Sequence, residues 1–385
     1  MRGLAFIPYF LFAFLWTFRL FPDKGRWASV AASLPLCLAL LLAGTAIPGR
    51  WLQELSLPFY VSSGICLGLS GLLILRRGFP LSGWRPPLTR ADWPWLLALA
   101  LATALVAMVT VRYSIFDEVR LQGHIPVVEA MLRGRFPPAY IAFPDVDFRY
   151  HYGFNVLAAL ISLAFGAKGY VGIDALTIFC WAAFAVNLLL LFSRLGIARG
   201  GWALAFCFTV LSGGMSWLLV AKHDGGAGML FQLPNWQQMF IFGRVIHPSF
   251  LMYFFQHPIS LGLLFFLGML ACLQRWAETG ERRAYWTGVF LLGAMSLAQV
   301  MLFATSLVAL GAVFAVRFFR PEIPKARNFW AGLGVLVGAV ALALALGGFF
   351  QWSPGAESQP LRFTWPPGYL RNEFYARGRP IAWWQ

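Results

Sequence analysis

Apolar runs of roughly 17 to 25 residues, each long enough to cross a bilayer as a helix, recur along the whole 385-residue chain with short polar connectors between them. No other feature limits the fold so tightly. A segment surrounded by hydrocarbon has to satisfy its own backbone N–H and C=O groups, and a continuous helix does so within one run. The runs fall near 4–20, 27–47, 57–75, 93–112, 171–193, 202–221, 259–274, 286–298, 301–319 and 329–350. The stretch 286–319 is too long for one crossing, and the polar Gln299 marks its break. The expected fold class is therefore all-α, a polytopic transmembrane helical bundle of about ten spans. Only 12% of the residues are charged, against about 25% in soluble domains, and the mean hydropathy is +0.69. The first run follows only Arg2 and has no small-residue cleavage site before the next connector, so a retained span is expected rather than a removed signal peptide.

Short connectors rich in Lys and Arg prefer the cytoplasm. Five qualify: 21–26, 76–92, 193–201, 275–283 and 319–328. All five fit on one side only if 153–165, "GFNVLAALISLAF", does not cross but dips into, or lies along, the outer face. The outer side then receives 48–56, 113–170, 222–258 and 351–385. All five histidines and nine of the fifteen acidic residues lie in these segments, with a tenth, Asp174, at the outer end of the run 171–193, so acid–base chemistry is expected to face outward. The net charge of +15 is scattered over connectors and builds no stripe, which argues against a nucleic-acid partner and for orientation plus contact with anionic lipid. Cys37, Cys66, Cys180, Cys207 and Cys272 lie inside apolar runs without CxxC spacing, so packing is expected rather than disulfides or zinc.

Asp117 and Glu118 follow the span 93–112 at its C-terminal end, where the helix dipole disfavours carboxylates by about 0.3 to 1 kcal/mol. One explanation is structural: Asp117 caps a surface helix over roughly 118 to 133, supported by a Glu129–Arg133 pair one turn apart. The other is chemical, a carboxylate placed to take a proton.

The stretch "FDEVRLQGHIPVVEAMLRGRFPP" resembles the first outer loop of the GT-C class of membrane glycosyltransferases, which includes the lipid A aminoarabinose transferases and protein O-mannosyltransferases. In that class an acidic pair closes the first core span, and an amphipathic helix ending in an "ML.G" turn follows; the matching residues are Asp117, Glu118, Arg120, Met131, Leu132 and Gly134. "DVDFRYHYGFNVLAALISLAFG" is similar to the second half of that loop, and "SRLGIARGG" to the basic turn after the next span. The resemblance covers about residues 93 to 320. It implies a GT-C-like core over 93–350 with outer-face juxtamembrane helices in loop 113–170 and a second outer loop, 222–258. Residues 1–92 are then an N-terminal three-span addition, and 351–385 an outer aromatic and basic loop whose ending, "AWWQ", is expected to mark a shortened chain.

The resemblance further implies transfer of a sugar from a polyprenyl-phosphate donor to a glycan, lipid or protein acceptor, at the outer, periplasmic face of a bacterial inner membrane. Asp117 is the first choice as general base and Glu118 the second. Arg120, Arg149, Lys222 and Arg244 are the outer cations for the donor phosphate, and Arg120 serves equally as an ion-pair partner orienting the acidic pair. His124, Tyr150, His151, Tyr152 and His247 are candidates to line the pocket. Asp145 and Asp147 offer hard oxygen ligands to a divalent cation, although D-x-D on a loop is more often simply solvated. Two other classes compete. A non-catalytic scaffold subunit with membrane-protein partners would keep the fold without the chemistry. A transporter of lipid-linked saccharide would need ionisable groups at mid-membrane depth, which the runs lack.

Overall fold

The structure, a computed structural model, describes residues 2–18, 20–21, 26–78, 93–113, 123–139, 148–198, 201–211, 240–241, 244–245, 257–319 and 325–350. Met1–Gln351 forms one compact unit; a second, Trp352–Gln385, lies outside the described residues. After a 3-10 turn, Arg2–Phe6, the helices are α1 (Ile7–Thr17), α2 (Arg26–Leu52), α3 (Ser56–Arg77), α4 (Trp93–Tyr113), α5 (His124–Leu132) and α6 (Gly153–Phe165). They continue with α7 (Gly169–Arg194), α8 (Trp202–Leu211), α9 (His257–Thr279), α10 (Arg282–Ala298), α11 (Val300–Phe318) and α12 (Lys325–Leu346). The described extended pairing is a two-residue antiparallel ladder, Phe240–Ile241 against Arg244–Val245.

Six of these helices are long and apolar enough to cross a membrane: Trp27–Leu52, Ser56–Arg76, Gly169–Arg194, Pro258–Thr279, Val300–Phe318 and Phe329–Leu346. The chain is a multi-pass membrane protein with an all-helical body. Several hydroxyls inside the helices are answered within their own helix, as lipid favours: Thr45 donates to Leu41 O, Ser70 to Cys66 O, Thr177 to Ile173 O and Thr287 to Arg283 O. The outermost helices keep large apolar side chains on the surface, such as Leu75 on α3 (85% exposed) and Val308 on α11 (75%), which is the face a bilayer covers. Between helices, glycines permit close approach. A Cβ on Gly268 of α9 would stand 2.7 Å from Pro35 of α2, and one on Gly293 of α10 would stand 2.7 Å from Leu342 of α12.

Contacts sort the bundle into two ends. At one, Arg194 at the end of α7 pairs with Glu278 near the end of α9 at 2.5 Å, and the Arg317 guanidinium at the end of α11 lies over Trp276. There too, Tyr285 at the start of α10 donates to Ala331 O at the start of α12. The tight α9–α10 turn names this the hairpin end. At the other, Arg50 of α2 donates to Ala345 O of α12, Glu129 of α5 accepts from Gly169 N of α7, and Gly153 of α6 lies against Leu297 O of α10. This is the loop end. Gln299 breaks the long apolar stretch where the sequence places the break: its extended backbone separates α10 from α11, and its side chain accepts from Met301 N to cap α11.

The segment 153–165 does not cross. As α6 it has 13 residues and spans about 20 Å, short of a hydrocarbon core of about 30 Å. Its first residue touches Leu297 O and Leu42, while Phe165 at its last touches Gly3 and stacks on Phe6, so both ends sit at the loop end. It dips into the bundle rather than lying along it: ten of its residues are buried, because a segment apolar on every side needs cover on every side.

Two local expectations are corrected. The surface helix begins at His124 and not near 118; Gly123, with extended ψ of 170°, holds the N-cap, so Asp117 does not cap this helix. Its end is as expected, with Gly134 at φ +83° stopping the chain after "ML". Glu129 does not pair with Arg133. Its carboxylate accepts from Gly169 N at 2.9 Å, where the positive end of the α7 dipole attracts it more strongly than an exposed arginine one turn away.

Candidate functional site

The loop end gathers four of the predicted pocket residues, His124, Tyr150, His151 and Tyr152, between α5 and the start of α6. His124 is the first residue of α5 and faces Asn155, the third of α6, which is fully buried. Asn155 Nδ2 donates to the His124 carbonyl at 3.3 Å, which turns Asn155 Oδ1 toward His124 Nδ1 at 3.1 Å. An amide oxygen only accepts, so Nδ1 carries the ring proton, and in the neutral ring Nε2 is left as the acceptor nitrogen. Asn155 therefore fixes both the position of the α5 N-terminus and the tautomer of its histidine.

Around this pair runs a chain of aromatic rings. His124 stands 6.3 Å from Tyr150 and 6.4 Å from Phe154 by ring centres; Tyr150 stacks on His151 at 4.1 Å; Phe148 lies 5.4 Å from Tyr150 and 6.3 Å from Tyr152; Phe136 meets Tyr152 edge-on. Burial raises the Tyr150 phenol to about 12 and the Tyr152 phenol to about 12, the latter despite the nearby Arg50 charge. Burial also lowers His151 to about 4. At neutral pH His151 is an uncharged ring, able to stack and to donate one hydrogen bond but unable to hold a phosphate by charge.

Arg50, absent from the sequence-derived candidates, stands beside this cluster. Its Nη1 donates to Ala345 O at 2.9 Å and Leu344 O at 3.4 Å, a cation on the C-terminal carbonyls of α12. Gly347, at φ +76°, passes so close that a Cβ would fall 2.5 Å from the guanidinium carbon. A Cβ on Gly348 would fall 2.9 Å from Tyr150 O, so this close approach ties the α12 terminus to the aromatic cluster. Among the described residues the half-buried Arg50 donates through one nitrogen of its fork, to the α12 carbonyls. The sequence signal for it was faint: a single arginine in the outer connector 48–56. Asn155 was equally hard to find, since it sits inside an apolar run.

Of the remaining candidates, Arg149 sits half-buried next to Tyr150. Asp117, Glu118, Arg120, Asp145, Asp147, Lys222 and His247 lie outside the described residues. Arg244 is described only in its backbone, as part of the short ladder with Ile241. No protein-family model matches the chain, and comparison with curated proteins and with solved structures finds no match.

Proposed function

We propose that the loop end is a glycosyl-transfer site, at which a sugar passes from a polyprenyl-phosphate donor to a hydroxyl acceptor on the outer face of the membrane. The observation that carries this reading is the placement of α5 and α6. The two helices between α4 and α7 both stay at one end of the bundle, one as a cap and the other dipping inward, and the chain enters them directly from the stretch that bears Asp117 and Glu118. In this reading Asp117 takes the proton from the acceptor hydroxyl, with Glu118 as the alternative base. The acceptor oxygen bonds to the anomeric carbon with inversion as the bond from that carbon to the phosphate oxygen breaks. Polyprenyl phosphate leaves with the electron pair.

The developing phosphate charge falls to arginine and lysine: Arg120, Arg149, Lys222 and Arg244 by resemblance, joined by Arg50 on its position at the loop end beside Tyr152. The aromatic cluster of Phe148, Tyr150, Tyr152 and His151 supplies flat apolar faces on which a sugar ring can stack, and keeps water from the donor.

The test is made in cells lacking the chain and complemented with wild type, Asp117→Asn or Glu118→Gln, with envelope glycans and lipids read by mass shift and protein level by immunoblot. Loss of a positioned base reduces transfer about 10²-fold or more, so the Asp117→Asn variant is expected to lose the shifted product while remaining in the membrane. Normal transfer by both variants at normal protein level would reject the chemistry and leave the scaffold reading in its place.

A further inference from the structure

A second site lies at the hairpin end, away from the glycosyl-transfer site and independent of that reading. Helices α9, α10 and α12 border a groove of about 560 Å³ lined by Trp276, Tyr285, Trp286, Trp330 and Gly334, with the exposed Arg282 at its mouth. The Tyr285 hydroxyl donates to Ala331 O at 2.7 Å, and its ring sits 5.1 Å from Trp276 and 5.0 Å from Trp286, so the walls are braced against one another. Trp286 and Trp330 remain 55% and 65% exposed, which is the pattern of indole rings at headgroup level.

Among the described residues the charge around the groove is one-sided. Glu278 is held by Arg194 at 2.5 Å, and Glu281 faces Arg275 at 3.9 Å. Three further arginines have no ion pair among the described residues: Arg282 at the mouth, Arg283 with its guanidinium over Trp16, and Arg317 with its guanidinium over Trp276. Below Trp330, the exposed apolar residues Leu333, Val337, Val340 and Leu344 follow one another at spacings of three and four, forming a single stripe down α12. From Trp330 to Leu344 that stripe is about 21 Å long, comparable to an extended acyl chain.

We propose that this groove binds an anionic phospholipid, with its phosphate at Arg282, its glycerol region against Trp286 and Trp330, and one acyl chain along the α12 stripe. The occupant is specified by three features acting together: a cationic mouth answers a phosphate, aromatic walls at the interface answer a glycerol backbone, and an apolar track leading away into the bilayer answers a chain. A soluble phosphate compound would use the first alone.

The experiment uses the full chain purified in detergent, with native mass spectrometry against phosphatidylglycerol and phosphatidylcholine of matched chains. Wild type is expected to retain phosphatidylglycerol preferentially. Arg282→Gln is expected to reduce that preference about fivefold, the usual contribution of one basic residue at an anionic surface. Trp330→Ala, at an exposed position that leaves the helix core intact, is expected to weaken retention of both lipids. Arg133→Gln, an exposed change at the opposite end, should leave the preference unchanged. Glycerol phosphate at millimolar concentration is expected to displace nothing; displacement would show a site for a soluble anion and overturn the proposal. Equal retention of the two lipids by wild type, or an undiminished preference in Arg282→Gln and full retention in Trp330→Ala, would overturn it as well.

Discussion

Asn155 carries more of the loop end than its size suggests, because it answers both the ring and the carbonyl of His124 from a fully buried position. Asn155→Leu keeps the volume and leaves both His124 groups to find other partners, at a cost of about 1 to 3 kcal/mol; a lowered Tm in detergent measures it. His151 gives the loop end a pH dependence whose sign follows from its burial. Its folded value of about 4 lies below the ordinary 6.5, so between those values the unfolded chain holds the extra proton. Stability is then fully present above pH 6.5, falls as the pH drops toward 4, and levels off beneath that. The expected loss across this window is on the order of 3 kcal/mol. His151→Phe, which keeps the stacking on Tyr150, should remove that slope, and melting curves of the two proteins from pH 4 to 7 provide the comparison. Equal slopes would show that His151 exchanges its proton freely in the folded state.

The helices of the loop end are joined by contacts that predict graded effects. Glu129 sits at the first turn of α7, so Glu129→Gln, which keeps an acceptor oxygen but removes the charge, should cost about 0.3 to 1 kcal/mol, and Glu129→Ala about 1 to 2, both read as Tm changes. Gly172 is where α7 meets α6: a Cβ there would overlap Ala158 O and Ser162 Oγ, so Gly172→Ala should force the two helices apart and cost about 1 to 3 kcal/mol. Gly64 on α3 faces open space, and Gly64→Ala should instead be neutral or stabilising by up to about 1 kcal/mol. If both alanines behave alike, the α6–α7 contact is not as close as it stands here.

For the molecule as a whole, the long-range pattern was legible in the sequence. Run length gave the helical bundle, Gln299 gave the α10–α11 break, and the shortness of 153–165 gave a helix that stays at one end. These are properties of hydropathy and length, which act along the chain. What the sequence concealed depends on contacts between distant segments. One-turn spacing in the sequence points Glu129 toward Arg133, whereas its actual partner, Gly169, lies 40 residues away. Arg50 is separated from Ala345 by 295 residues, and no local pattern marks that meeting. Capping preference alone favours Asp117 as the start of the surface helix, but the extended backbone of Gly123 sets the boundary of α5.

The proposed site requires both halves of the loop, before and after α6, to share one face of the membrane. Single cysteines at Arg133, Lys168 and Leu195, three exposed positions, placed in a background without the native thiols and treated with a membrane-impermeant maleimide on sealed cells, read this directly. Positions 133 and 168 are expected to react from the same side, and position 195 only after the membrane is opened. Labelling of 133 and 168 from opposite sides would mean that α6 crosses, and the single-faced site would be lost with it.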